Sequence, residues 1–169
     1  RYTGKMPTVE EFSERFLEHQ KARTKPLTYK QQSATVNNHI VPAIGDKPLD
    51  DVDKECVDRL STDWRNQPSE PKTCNTRLGT LRRMLSLALE WKFIPEVPEI
   101  EFYAEDDATP RWLTDEECAL LLEKAEPQWR AMMLVGLRTG LRIGELRGLQ
   151  WGDVDLARRV IQVRRTDPG

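Results

Sequence analysis

Three helix-start signals of one type limit what this chain can fold into. The residue pairs that form them are Thr8 and Glu11, Thr28 and Gln31, and Thr114 and Glu117. In such a capping box the hydroxyl accepts the backbone N–H of the third residue along, and the side chain of that residue reaches back to the cap. Apolar residues at helical spacing follow each signal. The pattern predicts a mainly α protein.

Residues 1–94 are predicted to form one domain of four helices. The predicted helices are Thr8 to about Arg23, Thr28 to about His39, Asp53 to about Asn66, and Lys72 through Ala88. Asp53 is a suitable N-cap for the third helix, and residues 40–45 form an apolar turn before it. Within the fourth helix, Leu78, Leu81 and Leu85 recur at spacings of three and four, which predicts the buried side of that helix.

A proline-rich acidic stretch separates this domain from the rest of the chain. Residues 95–110 hold three prolines and six acidic residues, and they predict an interdomain linker. Residues 111–169 are predicted to begin a second domain, with a helix after Thr114, a buried helix after Pro127 and a short helix over about 142–150. Alternating β-branched residues predict a first strand near 159–165 that leads into a turn at 167–169.

The charge of the chain is uneven, which its net value of −2 hides. Residues 72–92 hold five basic residues and one acidic residue, whereas residues 46–63 hold three basic and seven acidic residues. A nucleic-acid partner therefore stays open. The three cysteines are odd in number and share no CxxC spacing, so neither a disulfide framework nor a metal site is expected. No cofactor is expected either. No apolar run is long enough to span a membrane, and a reducing cytoplasm is the expected location.

One side of the fourth predicted helix combines short hydroxyl side chains with arginines. Its members are Thr73, Thr76, Arg77, Thr80 and Arg83, which fall within about a third of the helix circumference. Hydroxyls beside arginines allow a phosphate backbone to approach closely and to accept hydrogen bonds. These five residues are therefore candidates for DNA binding. A solvated polar face without a ligand is the alternative.

Arg142 is the strongest single candidate for a phosphate-binding residue. It follows a break at Thr139-Gly140 and begins a short helix, where its charge adds to that of the first backbone N–H groups. Glu145 lies three residues further along, on the same helix face, and can orient the guanidinium. The alternative is an ordinary surface arginine with a nearby acidic partner.

Residues 139–155 resemble the first catalytic-arginine box of the tyrosine recombinases, also called phage integrases. That box reads Thr-Gly-Leu-Arg, any residue, Gly or Ser, and Glu-Leu, followed by a Trp and an Asp-hydrophobic-Asp. The matching positions are Thr139, Gly140, Leu141, Arg142, Gly144, Glu145, Leu146, Leu149, Trp151, Asp153 and Asp155. Residues 111–117 resemble the start of the family's catalytic domain, and residues 8–94 resemble its SAM-like core-binding domain.

The resemblance implies site-specific DNA strand exchange through a phosphotyrosyl intermediate, in the context of DNA recombination and integration. It implies a double-stranded DNA recombination site as partner, and a homotetramer on DNA for the intact protein. By position, Arg142 is the first phosphate-binding arginine and Glu145 is the carboxylate that orients it. Asp153 and Asp155 are expected to be structural and to fix the turn into the strand.

The other residues that the family uses are absent from this sequence. Neither His19 nor His39 begins a His-x-x-Arg box, and the tyrosines, Tyr2, Tyr29 and Tyr103, all precede Arg142, whereas the nucleophile follows it in the family. The family's lysine lies on the hairpin after the strand predicted near 159–165. The chain is therefore expected to be a fragment of a recombinase that is inactive in cleavage on its own.

Two other functions remain open from the sequence. One is a non-catalytic, sequence-specific DNA-binding protein that keeps the recombinase-like half only to occupy a site. The other is a helical protein-interaction module, which the acidic segments favour.

Overall fold

The computed structural model describes residues 4–68, 70–105 and 110–166. The chain divides into two compact units, residues 1–107 and 108–169. Helices dominate both units within the described ranges, and a two-stranded antiparallel sheet lies in the second. The mainly α prediction is confirmed. No helix in these ranges is both long and apolar enough to cross a membrane.

The first unit contains four helical stretches, as predicted. Its elements are α1 (Val9–Lys21), α2 (Pro26–Thr35), a π-helical segment (Val36–Ile40), α3 (Val41–Ile44), a 3-10 turn (Leu49–Asp51), α4 (Lys54–Asn66) and α5 (Pro71–Glu90). Helix α2, the π-helical segment and α3 follow one another without a break. The region predicted as an apolar turn over residues 40–45 is therefore largely helical.

The helix starts test the sequence signals directly. The capping box of Thr8 and Glu11 is present, with hydrogen bonds of 3.0 and 3.2 Å. Asp53 caps α4 by accepting the Cys56 backbone N–H at 2.8 Å. The predicted box at Thr28 is wrong, because α2 already begins at Pro26 after the extended residue Lys25. Proline suits a first helical position, since its φ is fixed and its missing N–H would have no partner there.

The π-helical segment has a local cause in the sequence. Pro42 has no N–H, and in a regular α-helix its ring would collide with the carbonyl of the residue four positions earlier. Directly before it, the backbone N–H of Val41 bonds to the carbonyl of Val36, which widens the turn. The chain thereby passes Pro42 without ending the helix.

Helix α5 packs in the centre of the first unit. It contacts α1, α2, α4 and the π-helical segment, so its buried side is wider than the predicted leucine stripe. The core is formed by Val9, Phe12, Phe16, Val36, Ile40, Ile44, Leu49, Val52, Val57, Leu60, Trp64, Cys74, Leu78, Leu81, Met84, Leu85, Leu87, Ala88, Phe93 and Ile94.

The segment predicted as a linker is partly attached to this core. Residues 95–105 form no regular helix or strand. Val97, Ile100 and Tyr103 nevertheless pack against the buried side chains of the first unit. The sequence predicted that the first domain ends at residue 94. The first unit extends past that residue, because these three side chains of the acidic stretch pack against the core.

The second unit contains three helices and a short hairpin within residues 110–166. Its elements are α6 (Asp115–Lys124), α7 (Pro127–Thr139), α8 (Ile143–Gly148), a 3-10 turn (Trp151–Asp153), β1 (Val154–Asp155) and β2 (Val160–Ile161). The capping box of Thr114 and Glu117 is present at the start of α6. Val154 pairs with Ile161, and Asp155 pairs with Val160.

Two predictions for the second unit need correction. The strand expected near 159–165 is the second strand and not the first, because the two-residue strand β1 precedes it and is too short for a sequence pattern to reveal. Helix α7 was expected to be buried, yet Trp129, Leu134 and Leu137 are exposed. The described neighbours of α7 cover only part of its circumference. The turn predicted at 167–169 lies outside the described residues.

Candidate functional site

Arg142 is presented by a tight break between two helices. Helix α7 ends at Gly140, whose φ of +70° lies in the left-handed region that favours glycine. The Thr139 hydroxyl donates to the Val135 carbonyl at 2.6 Å and accepts the Leu141 backbone N–H at 3.4 Å. Arg142 then has an extended backbone and immediately precedes α8. The Thr-Gly pair thus fixes the backbone that carries Arg142.

Glu145 contacts Arg142 at two atoms. Its Oε2 accepts the Arg142 backbone N–H at 2.8 Å, and its Oε1 accepts from the guanidinium Nη1 at 3.3 Å. The Glu145 side chain is 18% exposed, whereas that of Arg142 is 86% exposed. The carboxylate is therefore held against the protein while the guanidinium extends into solvent. This arrangement agrees with the predicted contact between the two residues.

A glycine on α7 leaves room for a side chain of α8. A methyl group added at Gly136 would come within 3.1 Å of Leu146 Cδ1, which is tighter than ordinary van der Waals contact. The Leu146 side chain would then have to shift by a few tenths of an ångström. Gly136 therefore allows Leu146 to pack closely against α7.

The contacts of Asp153 and Asp155 agree with the structural role predicted for them. The buried Asp153 carboxylate accepts the Gln150 backbone N–H at 3.1 Å and lies 3.6 and 3.4 Å from the guanidinium groups of Arg164 and Arg165. Asp155 accepts the Arg158 backbone N–H at 2.8 Å across the turn between the strands. Asp153 thus connects the end of the 3-10 turn to the chain that follows β2.

The five residues predicted to share an exposed face of α5 do not all lie on the surface. Thr73, Thr76 and Arg83 are exposed, but Arg77 and Thr80 are buried. The prediction of a common exposed face is wrong for Arg77 and Thr80, because α5 has neighbours on two sides and its buried arc extends beyond the leucines. The Thr80 hydroxyl donates to the Thr76 carbonyl within the helix.

Arg77 is enclosed by polar and aromatic groups of the first unit. Its guanidinium carbon lies 6.0 Å from the centre of the Trp64 ring, and its Nη1 donates to Gln67 Oε1 at 3.4 Å. Burial, and after it the charge of Arg77, lowers the pKa of His39 below its ordinary value of 6.5. Arg77 therefore acts as an internal positive charge.

The exposed side of α5 contains a basic residue that the sequence interpretation omitted. Lys72, Thr76 and Arg83 are exposed and fall within about 40° of one another around the helix, at 100° per residue. The half-exposed Gly79 lies beside these three residues on the helix surface. A Cβ added there would meet no other atom within 4 Å. We call Lys72, Thr76, Gly79 and Arg83 the α5 stripe. The same angular spacing could have revealed Lys72 from the sequence.

Comparison with known families bears on both units. The profile of the phage integrase N-terminal SAM-like domain matches residues 8–64. The profile of the phage integrase family matches residues 111–167, a range that includes Arg142 and Glu145. The two matches together span most of the chain, in the order that the recombinase resemblance implies.

The chain belongs to the phage integrase, or tyrosine recombinase, family. Among its relatives is the integrase of Salmonella phage P22, 26% identical over 98 residues, which are 57% of this chain and 25% of the relative. A putative integrase/recombinase of Haemophilus influenzae is 23% identical over 155 residues, which are 83% of this chain and 50% of the relative. The chain thus spans a quarter and a half of the lengths of these two curated relatives.

Solved structures of integrases share the fold of this chain. The Tn1549 transposon integrase, solved with circular intermediate DNA, superposes with a TM-score of 0.78 at 23% identity, covering 95% of this chain and 55% of the neighbour. A lambda integrase tetramer bound to a Holliday junction gives a TM-score of 0.70 at 18% identity, covering 90% of this chain and 44% of the neighbour. The fold assignment therefore extends over both units.

Proposed function

We propose that this chain is the DNA-binding part of a site-specific tyrosine recombinase, together with the first arginine of its catalytic site. The observation that carries the proposal is the pair of Arg142 and Glu145 within the family box. The guanidinium extends into solvent and the carboxylate that holds it is largely covered. Because the same carboxylate caps α8 through the Arg142 backbone N–H, it presents the guanidinium from a fixed backbone.

In the proposed reaction, Arg142 binds a non-bridging oxygen of the scissile phosphate. As a tyrosine attacks the phosphorus and the 5′-oxygen leaves as a hydroxyl, negative charge accumulates on these oxygens, and a guanidinium already in place stabilises that charge. Glu145 keeps the arginine oriented and balances part of its charge between reaction cycles. The nucleophilic tyrosine, the lysine and the His-x-x-Arg of the family are not among the residues of this chain. We expect the chain alone to bind DNA without cleaving it.

The α5 stripe supplies the proposed contacts of the first unit with the DNA backbone. Lys72 and Arg83 each neutralise a phosphate, and the small residues Thr76 and Gly79 leave room for the DNA backbone to approach. Thr73 is exposed on the first turn of the same helix and completes the set. Arg77 and Thr80 support this surface from beneath, since both are buried. The proposed partner is a duplex recombination site, on which the intact protein assembles as a homotetramer.

Salt dependence of DNA binding tests the interface. The 169-residue chain is titrated into a fluorescent duplex between low and moderate salt, alone and as the variants Lys72→Gln and Arg83→Gln. Removing one phosphate-neutralising charge reduces the slope of log affinity against log salt by about 0.9. Arg59→Gln is the matched control, because Arg59 is exposed on α4 and pairs with Glu55 there. It should leave both the affinity and the slope unchanged.

Two results would contradict the proposed interface. One is the absence of binding at low salt, and the other is an equal effect of the α5 stripe variants and the Arg59 control.

The role of Arg142 is tested separately in the intact recombinase. There Arg142→Ala should lower the cleavage rate by about 100-fold or more and preserve DNA binding. Arg130→Ala, which changes an exposed arginine of α7, is the control and should cleave normally.

A further inference from the structure

Asn75 binds the backbone of a residue that lies 28 positions later in the sequence. Its Nδ2 donates to the Tyr103 carbonyl at 2.9 Å, and its Oδ1 accepts the Tyr103 backbone N–H at 2.9 Å. A single side-chain amide thus satisfies both backbone groups of Tyr103, as a neighbouring strand would. The same Nδ2 also donates to Glu105 Oε1 at 2.7 Å. These bonds attach an irregular segment to the N-terminal part of α5.

Side chains of α4 hold the same segment from its other side. The Tyr103 hydroxyl lies 3.3 Å from Ser61 Oγ, and the guanidinium carbon of Arg65 lies 6.0 Å from the centre of the Tyr103 ring. Lys54 forms an ion pair with Glu101 at 3.0 Å. That pair is exposed, and such pairs contribute little and weaken with salt. The half-buried bonds between Asn75 and Tyr103 are therefore the main polar attachment.

This attachment determines how much chain lies between the two units. With Tyr103 and Glu105 bound to Asn75, five residues, 106–110, lie between the last attached residue and Arg111. If the bonds to Asn75 and the ion pair of Lys54 were broken, ten residues, 101–110, would lie between them. If Val97 and Ile100 also detached, the number would rise to sixteen, 95–110.

We propose that Asn75 is a positioning residue that shortens the connection between the two units and thereby strengthens their joint grip on DNA. This inference rests on the proposed function, in which both units bind one duplex. Once a linker is long enough to reach both sites, the effective concentration that it provides falls roughly as the −3/2 power of its length. A change from five residues to between ten and sixteen lowers it by about three- to sixfold. The Asn75 amide makes no contact with DNA in this scheme and acts through the segment.

The first measurement is independent of DNA. Hydrogen exchange at the Tyr103 backbone N–H reports the attachment directly, because that N–H is bonded to Asn75 Oδ1. In Asn75→Ala it should exchange about tenfold faster or more, while the amides in the middle of α5 stay protected. Asn66→Ala, which changes an exposed asparagine at the end of α4, is the control and should leave Tyr103 protected.

The second measurement is the affinity of the full chain for a duplex long enough to contact both units. Asn75→Ala should weaken binding by up to about threefold, because Val97 and Ile100 stay on the core. The salt slope should be unchanged, because no phosphate contact is removed. Tyr103→Ala removes the ring and its contacts with Ser61 and Arg65 but keeps both backbone bonds to Asn75, so it should weaken binding less than Asn75→Ala does. Since both changes act on one segment, the double variant should be weakened by no more than about sixfold, instead of showing the product of the two separate effects.

The outcomes separate this proposal from the proposed function. Faster exchange at Tyr103 with unchanged DNA affinity would overturn the role of Asn75 and leave DNA binding intact. Unchanged exchange at Tyr103 would overturn the attachment itself. If the unmodified chain binds no DNA, the proposed function fails and the role of Asn75 fails with it. A changed salt slope in Asn75→Ala would indicate a direct DNA contact and would also overturn the proposal.

Discussion

The two oxygens of the Glu145 carboxylate contact two different groups of Arg142. Oε2 accepts the backbone N–H at the start of α8, and Oε1 contacts the guanidinium. The first bond satisfies a helix-terminal donor, as in a capping box. The second restrains a side chain that is otherwise surrounded by solvent. Stability of the second unit and orientation of Arg142 therefore depend on one acid, and the two roles can be tested apart.

Glu145→Ala should lower the free energy of unfolding of the second unit by about 1 kcal/mol, because the N–H of Arg142 is left without its acceptor. Glu145→Gln should cost less, since its amide oxygen can still accept that N–H. Urea unfolding followed by amide exchange in α8 measures both variants. Equal destabilisation in the two variants would contradict the capping role and would point to the negative charge instead.

Arg77→Met should destabilise the first unit by about 1 kcal/mol, because the variant can neither donate to Gln67 nor place a cation near the Trp64 ring. The methionine side chain largely replaces the aliphatic stem of Arg77. The salt slope of DNA binding should stay unchanged, since Arg77 is buried and contacts no phosphate in our proposal. A reduced slope in Arg77→Met would mean that Arg77 does belong to the DNA surface, as the helical spacing predicted.

Gly79→Ala should raise the free energy of unfolding by about 0.5–1 kcal/mol, because alanine favours a helix interior and the new methyl group meets open space. The same change should weaken DNA binding, since it fills the place where the phosphate backbone approaches the α5 stripe. Ser86→Ala, at an exposed position of α5, is the control for DNA binding. A Gly79→Ala variant that is more stable and binds DNA normally would remove Gly79 from the interface.

The stability of the first unit should decrease as the pH falls through 6.5. Burial and then the Arg77 charge lower the pKa of His39 below that ordinary value. Between 6.5 and the lowered pKa, the unfolded chain binds a proton that the folded chain does not, so acid favours unfolding. Above 6.5 this contribution to stability is fully present. His39→Gln should flatten the decrease in urea unfolding experiments at a series of pH values.

Arg77→Met offers an independent check on the same group. Removing the positive charge should raise the pKa of His39 toward 6.5, as followed by the chemical shifts of its ring protons. Because burial is the larger cause of the shift, the return should be incomplete. A full return to 6.5 would mean that charge, not burial, dominates.

The sequence predicted those features that short-range chemistry determines. The capping residues Thr8, Asp53 and Thr114 act within one helical turn, so their hydrogen bonds follow from local spacing. The contact of Glu145 with Arg142 is equally local. The start of α2 was misplaced because Pro26 and Thr28 offered competing signals only two residues apart, and the fixed φ of proline prevailed.

Features that depend on distant neighbours could not be read from the sequence. Helical periodicity indicated the direction of the buried side of α5, but the number of elements around the helix determined its width. Arg77 and Thr80 lie in the part of this buried side that the leucine spacing did not predict. The bonds between Asn75 and Tyr103 join residues that no periodic pattern connects. The short strand β1 became visible only through its pairing with Val160 and Ile161.

The packing of Leu146 against α7 at Gly136 has a consequence for engineering. A methyl group at position 136 would crowd the Leu146 side chain, and Thr139, Gly140 and Glu145 hold the backbone and the guanidinium of Arg142. A library that redesigns α7 and α8 for solubility or for fusion to other domains should therefore keep these four positions and can vary exposed ones such as Arg130 and Leu134.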